Sequence, residues 1–157
     1  MKLSNTIKLI IAIALPLAVG AVAGMFTSKA VPGWYASLIR PSFAPPNWLF
    51  GPVWTILYIL MGISFYLIWK MEPGKDRNRG IIIFAVQLFF NFIWSFIFFY
   101  FKLIGLALAD IIILWILIIV MLVLFYKLKP LAAYLNIPYL LWVSFASVLN
   151  GAYFALN

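Results

Sequence analysis

Along this chain apolar residues neither alternate with polar ones nor confine themselves to one helical face; they run on for about twenty positions at a time, with polar residues gathered between the runs. Five such runs stand out, over 9–27, 48–69, 80–101, 103–126 and 136–156. A hydrocarbon layer about 30 Å thick is crossed by roughly 20 helical residues, each rising about 1.5 Å. Barrel strands would instead alternate over about 10 residues. The pattern predicts an all-α integral membrane protein, a bundle of five transmembrane helices making one membrane domain over residues 1–157.

The connections are as informative as the runs. The stretch 28–47 is the longest and carries Pro32, Gly33, Pro41, Pro45 and Pro46, so it reads as a stiff loop that is not helical throughout. Trp34, Tyr35 and Phe43 within it argue for an ordered lid rather than disorder. The remaining links are short, with Lys102 alone between the third and fourth runs, so sequential helices are expected to be antiparallel neighbours. Gly20-x-x-x-Gly24 and Ser147-x-x-x-Gly151 offer close helix contact, within the bundle or between two copies.

With 68% of residues hydrophobic and 9% charged, no water-facing globular surface can be assembled, which leaves lipid as the solvent. The net charge of +8 does not point to nucleic acid, because the basic residues sit at helix ends rather than in a stripe or tail. They read as topology signals. Lys2, Lys8, Lys70, Lys75, Arg77, Arg79, Lys127 and Lys129 fall on one side, and Lys29, Arg40 and Lys102 on the other, which puts the N-terminus in the cytoplasm and the C-terminus outside. Lys2, Lys8 and the small residues at Ala21-Val22-Ala23 resemble a signal peptide, but the apolar run continues through Phe26, and the first helix is expected to be retained.

Cysteine and histidine are absent, which removes thiol nucleophiles, imidazole bases and the usual soft metal ligands, so no cofactor or metal is expected. Polar side chains inside spans are costly and therefore mark function or packing. Gln87, Asn91 and Ser95 follow one another at four-residue spacing on the third helix, with Trp94 beside them; Asn150 aligns with Trp142 and Ala146 on the fifth; Trp54 and Tyr58 share a face of the second. Aromatic faces that carry amides suit a large flat apolar ligand. The competing reading makes Asn91 and Asn150 interhelical glue, and Trp54 and Trp142 packing residues. Trp48 and Trp69 bracket the second helix as interfacial anchors. Asp110, the one acidic residue within a span, reads as a partner for Lys102 or a donor to the lid. No chain of such groups exists for a proton relay, and ordinary acid-base, metal or nucleophilic catalysis lacks its parts.

Several segments together resemble the tryptophan-rich sensory protein / translocator protein family, also described as peripheral-type benzodiazepine receptors: Trp34-Tyr35, Arg40-Pro41-Ser42-Phe43-Ala44-Pro45-Pro46-Asn47-Trp48, Gly51-Pro52-Val53-Trp54, Gln87-Leu88 with Asn91 and Trp94-Ser95, Ala109-Asp110, Pro138-Tyr139 with Trp142, and Phe145-Ala146 with Leu149-Asn150. The resemblance spans essentially the whole chain. It implies a five-helix bundle, commonly a homodimer, that binds porphyrins and, in animal members, cholesterol and synthetic benzodiazepine-type ligands. It implies a pocket made by Tyr35, Trp54, Tyr58, Asn91, Trp94, Trp142 and Ala146. It also implies that some members degrade bound protoporphyrin in light and oxygen, with Trp54 and Trp142 the candidate redox residues here. The animal cholesterol motif wants a basic residue after its tyrosine, whereas Tyr153 is followed by Phe154-Ala155-Leu156-Asn157, which argues against sterol binding. With the run boundaries above, Trp54 lies about 7 Å to the lid side of mid-membrane and Trp142 about 6 Å to the other side, a separation that a porphyrin bridges and a small ligand does not.

Overall fold

The computed structural model describes residues 4–157; Lys2, one of the expected topology charges, lies outside the described residues. Ser4 starts the first helix, its Oγ accepting from the Ile7 amide at 3.3 Å, and α1 runs Asn5–Ala30. It does not stop where the sequence expects a loop. A wider π-helical turn, Val31–Tyr35, carries the first span to Tyr35. Pro32 has no amide to give the ladder and its ring crowds the preceding turn, and a π-turn relieves that crowding without ending the helix. The non-helical lid therefore begins well after position 28, and a short 3₁₀ turn at Asn47–Leu49 leads into α2, Phe50–Trp69.

The helix α3 covers Lys75–Ser95, beginning a turn and a half before the expected boundary because Lys75, Asp76, Arg77 and Arg79 extend it beyond the apolar run. It ends in a second π-helical turn, Phe96–Tyr100. The reversal into α4, Ile104–Leu128, places Lys102 in the left-handed region at φ 59°. A short helix α5, Pro130–Tyr134, precedes α6, Ile137–Leu156, and the two together make the fifth span. Proline stands in the first turn of both, where its missing amide costs nothing.

Five helices or helix pairs are long and apolar enough to cross a membrane, and none of the described residues forms a strand. Side chains such as Met25, Ile82, Leu141 and Val148, each over 60% exposed, point outward, as a lipid-facing surface requires. The helices close into a ring: α1 against α2 and α3, α3 against α4, α4 against α6, and α5 against α2. The antiparallel neighbours expected from the short links hold for α3 with α4 and α4 with α6 but only weakly for α2 with α3, whereas α1 packs closely on α2 despite the long loop between them. The ring is solid at the end away from the lid, where Met61, Ile68, Ile118, Met121 and Phe125 are fully buried. Hydrogen bonds reinforce that end, with Ser64 donating to the Ala132 carbonyl at 2.7 Å and Asn136 donating to Ser64 at 2.6 Å. Toward the lid a smaller cluster of Tyr35, Phe98, Ala107, Leu149 and Tyr153 holds the helices together around an open interior.

Candidate functional site

That interior is a cavity of about 770 Å³. Its walls come from every span. The π-turn after α1 brings Tyr35, α2 brings Trp54 and Tyr58, α3 brings Asn91 and Trp94, and α6 brings Trp142 and Ala146, so all seven residues singled out in the sequence face one space.

The fifth span is longer than the expected one. The helix α6 begins at Ile137, close to the expected start, but α5 precedes it in the same span, which starts at Pro130. The Trp142 ring lies 5.9 Å from that of Phe50 at the lid end of α2, while Trp54 lies 6.2 Å from Tyr139, one turn before Trp142. The two indoles are thus on the wall of the same chamber rather than on opposite sides of mid-membrane.

A hydrogen-bonded chain forms one wall and what lies behind it. Tyr58 donates to Asn91 Oδ1 at 2.7 Å, Asn91 Nδ2 donates to the Tyr139 hydroxyl at 3.0 Å, and that hydroxyl donates to Gln87 Oε1 at 2.9 Å. Gln87 Nε2 ends the chain on the Met61 sulfur at 3.5 Å. Asn91 therefore spends both ends of its amide on helices α2 and α6. In the same way Trp94 donates to Asn150 Oδ1 at 3.0 Å, and Asn150 Nδ2 donates to the Ile104 carbonyl at 3.0 Å, tying α3, α6 and the start of α4.

The remaining wall is aromatic. Trp54 stacks on Tyr58 at 5.4 Å and Trp94 on Phe98 at 5.2 Å. Trp142 Nε1, on this wall, is buried and has no hydrogen-bond partner among the described residues. Buried indole N–H groups ordinarily find an acceptor, so this one is an exception.

Sequence reasoning missed Phe50, Phe98 and Tyr153 on the wall. Phe98 had a signal, since it follows Trp94 by four residues, but the π-turn that begins at Phe96 changes the angular step there and hides the face from a regular count. Asp110 behaves differently from its sequence reading. It is buried, its Oδ2 has no hydrogen-bond partner among the described residues, and it forms no ion pair with the exposed Lys102. The ion pair found among the described residues is Arg79 with Asp76 at 3.1 Å, at the exposed start of α3. Trp48, 71% exposed, and Trp69, stacked on Phe65 at 5.7 Å, lie outside the cavity.

Comparison with known proteins gives this arrangement its relatives, beginning with the model of the TspO/MBR family, which matches residues 12–156. The chain belongs to the TspO/MBR family. The tryptophan-rich protein TspO of Archaeoglobus fulgidus is 43% identical over 98% of this chain and 99% of its own length. The TspO of Chlorobaculum tepidum is 41% identical over 96% of each chain. The translocator protein of Sus scrofa is 37% identical over 84% of this chain and 82% of its own. As a TspO/MBR family member with five apolar spans, the chain is a multi-pass membrane protein.

Proposed function

We propose that this protein is a membrane receptor or carrier that binds porphyrin-type tetrapyrroles and similar large, flat, apolar molecules in the chamber beneath the first loop. The observation that supports the reading is the wall itself: aromatic faces from α2, α3 and α6 around about 770 Å³, with a few polar groups among largely apolar neighbours. Pockets for organic ligands have this size and this ratio of apolar surface to placed polar groups. Tyr35, Trp54, Tyr58, Trp94, Trp142 and Ala146 are the proposed contacts, with Asn91 shaping the wall through its tyrosine partners. The distribution of Lys and Arg supports a cytoplasmic N-terminus, and a homodimer is the proposed assembly.

Titrating protoporphyrin into the protein in liposomes is expected to quench tryptophan emission to saturation. Quenching that rises linearly without a plateau, in liposomes and in detergent alike, sinks the proposal.

A second reading is favoured by one observation, the placement of Trp54 and Trp142 on one chamber. It makes them partners in light- and oxygen-driven breakdown of bound porphyrin. Illumination in air is then expected to bleach the porphyrin Soret band, and bleaching that continues unchanged in Trp54→Phe and Trp142→Phe removes the indoles from the chemistry.

A further inference from the structure

The cavity has two borders that differ in kind, and the difference bears on how a ligand reaches it. The lid border is fastened. Asn157 grips the loop backbone twice, its Oδ1 accepting from Ile39 N at 2.8 Å and its Nδ2 donating to Ile39 O at 3.2 Å. Tyr153 donates to the Tyr35 hydroxyl at 2.8 Å, so the last span holds the root of the loop as well. Arg40 folds back to donate to the carbonyls of Ala44 and Pro45, Pro41 is buried, and the Phe43 ring lies 6.3 Å from that of Phe145.

The border between α1 and α2 is open. These helices touch backbone to backbone far from the lid, where a methyl group on Gly62 would fall 2.6 Å from both the Ala12 carbonyl oxygen and the Ile13 Cα. One level up, the Tyr58 ring fills the space beside Gly20. Beyond that the helices part. A side chain built on Gly24 or Gly51 would meet nothing within 4 Å. Ala21, Gly24, Ser28, Gly51 and Thr55, from the two facing helices, are exposed and also border the cavity, and we take them as the rim of a slot. The slot lies along the lid-side part of the first two spans, running from the interface toward the acyl chains. Its hydroxyls are already spent on their own helices: Thr55 donates to the Gly51 carbonyl at 2.9 Å, Ser28 to Met25 at 3.1 Å, and Thr27 to Ala23 at 3.1 Å. To a passing molecule the rim presents small, effectively apolar surface.

We infer that the chamber exchanges its ligand sideways with the bilayer, through the slot between α1 and α2, and not through the loop. The occupant of the slot is a large apolar molecule dissolved in the hydrocarbon and in transit. The inference rests on the reading of the chamber as a ligand pocket and adds its route.

The chain contains no cysteine, so Gly24→Cys supplies a single attachment point in open space. The purified variant is placed in liposomes preloaded with protoporphyrin, before and after reaction with a bulky lipid-soluble maleimide, and the rates and extent of tryptophan quenching are followed separately. The unlabelled variant is expected to match the parent. The labelled one is expected to take up and release porphyrin roughly tenfold more slowly, while its equilibrium affinity moves less than about twofold, the signature of a gate rather than a wall. Asn157→Ala, which frees the loop clamp, is expected to leave both rates within about twofold of the parent. Parental rates after labelling overturn the inference, as does faster exchange in Asn157→Ala. So does lost affinity at an unchanged uptake rate, which makes position 24 part of the pocket wall. A thiol that stays unreactive in an intact dimer shows the slot covered by a second copy, with the same consequence. Absence of saturable quenching in the parent overturns the pocket and the route together, whereas unchanged rates in the labelled protein overturn the route alone.

Discussion

Asn91 shows how much a single amide carries in this bundle. Replacing it with leucine leaves the buried Tyr58 hydroxyl without its acceptor and takes from the Tyr139 hydroxyl the amide it accepts from, while Tyr139 keeps its bond to Gln87, and a buried unsatisfied group costs about 1 to 3 kcal/mol. Asn91→Leu is therefore expected to lower the melting temperature of the ligand-free protein clearly. A melting curve unchanged or shifted upward would show that the tyrosines re-pair and that the chain Tyr58–Asn91–Tyr139–Gln87 is not structural. Trp142→Phe makes the opposite case, since it deletes an N–H that has no partner among the described residues and keeps an aromatic ring in place. Its ligand-free stability is expected to stay within about 0.5 kcal/mol of the parent, while affinity for a ligand bearing a carboxylate or carbonyl falls about fivefold or more. Equal affinities before and after would show that the donor is not used. The sequence made these residues conspicuous, because amides and indoles inside apolar runs demand an explanation. It did not pair them. Which tyrosine meets Asn91 depends on the rotation and relative height of three helices, and no local pattern encodes that.

At the scale of the element, spans were legible because twenty consecutive apolar residues have no soluble use, whereas their ends and registers were not. Pro32-Gly33 is a stop signal by the rules of helices in water, yet the first span absorbs it in a π-turn. Pro130 likewise looks like a turn and instead opens α5, which lengthens the fifth span. Two helix junctions yield predictions of opposite sign. Lys102 holds a left-handed conformation that costs a residue with a side chain about 1 kcal/mol, so Lys102→Gly is expected to raise thermal stability by that order, read from melting curves in detergent. No gain, or a loss, would mean that other contacts of the lysine outweigh the relief. Gly62→Leu drives a side chain into the backbone of α1, where nothing can give except the helix itself, and is expected to destabilise by about 3 kcal/mol or more. A folded variant of parental stability would disprove the close crossing.

For the molecule as a whole, that close crossing behaves mechanically as a fulcrum. Gly62 rests on Ala12 and Ile13, with the Tyr58 ring against Gly20 one level up, and the two arms part beyond that toward the lid; from Gly62 to Gly51 the arm measures roughly 16 Å at about 1.5 Å per residue. A pivot of about 5° at such a fulcrum displaces the far tip by roughly 1.4 Å, about the radius of a water molecule. The arms belong to helices of unequal length, 31 residues in the first span and 23 in the second. A thinner bilayer forces the longer one to lean more than the shorter, which opens the scissors at the lid end. Membrane thickness thereby becomes a throttle on traffic into the chamber, acting without any change in what the chamber holds. Porphyrin exchange is expected to quicken in liposomes of short-chain lipids and slow in those of long-chain lipids, at constant affinity, and rates indifferent to chain length would mean that the two helices are locked at a fixed angle.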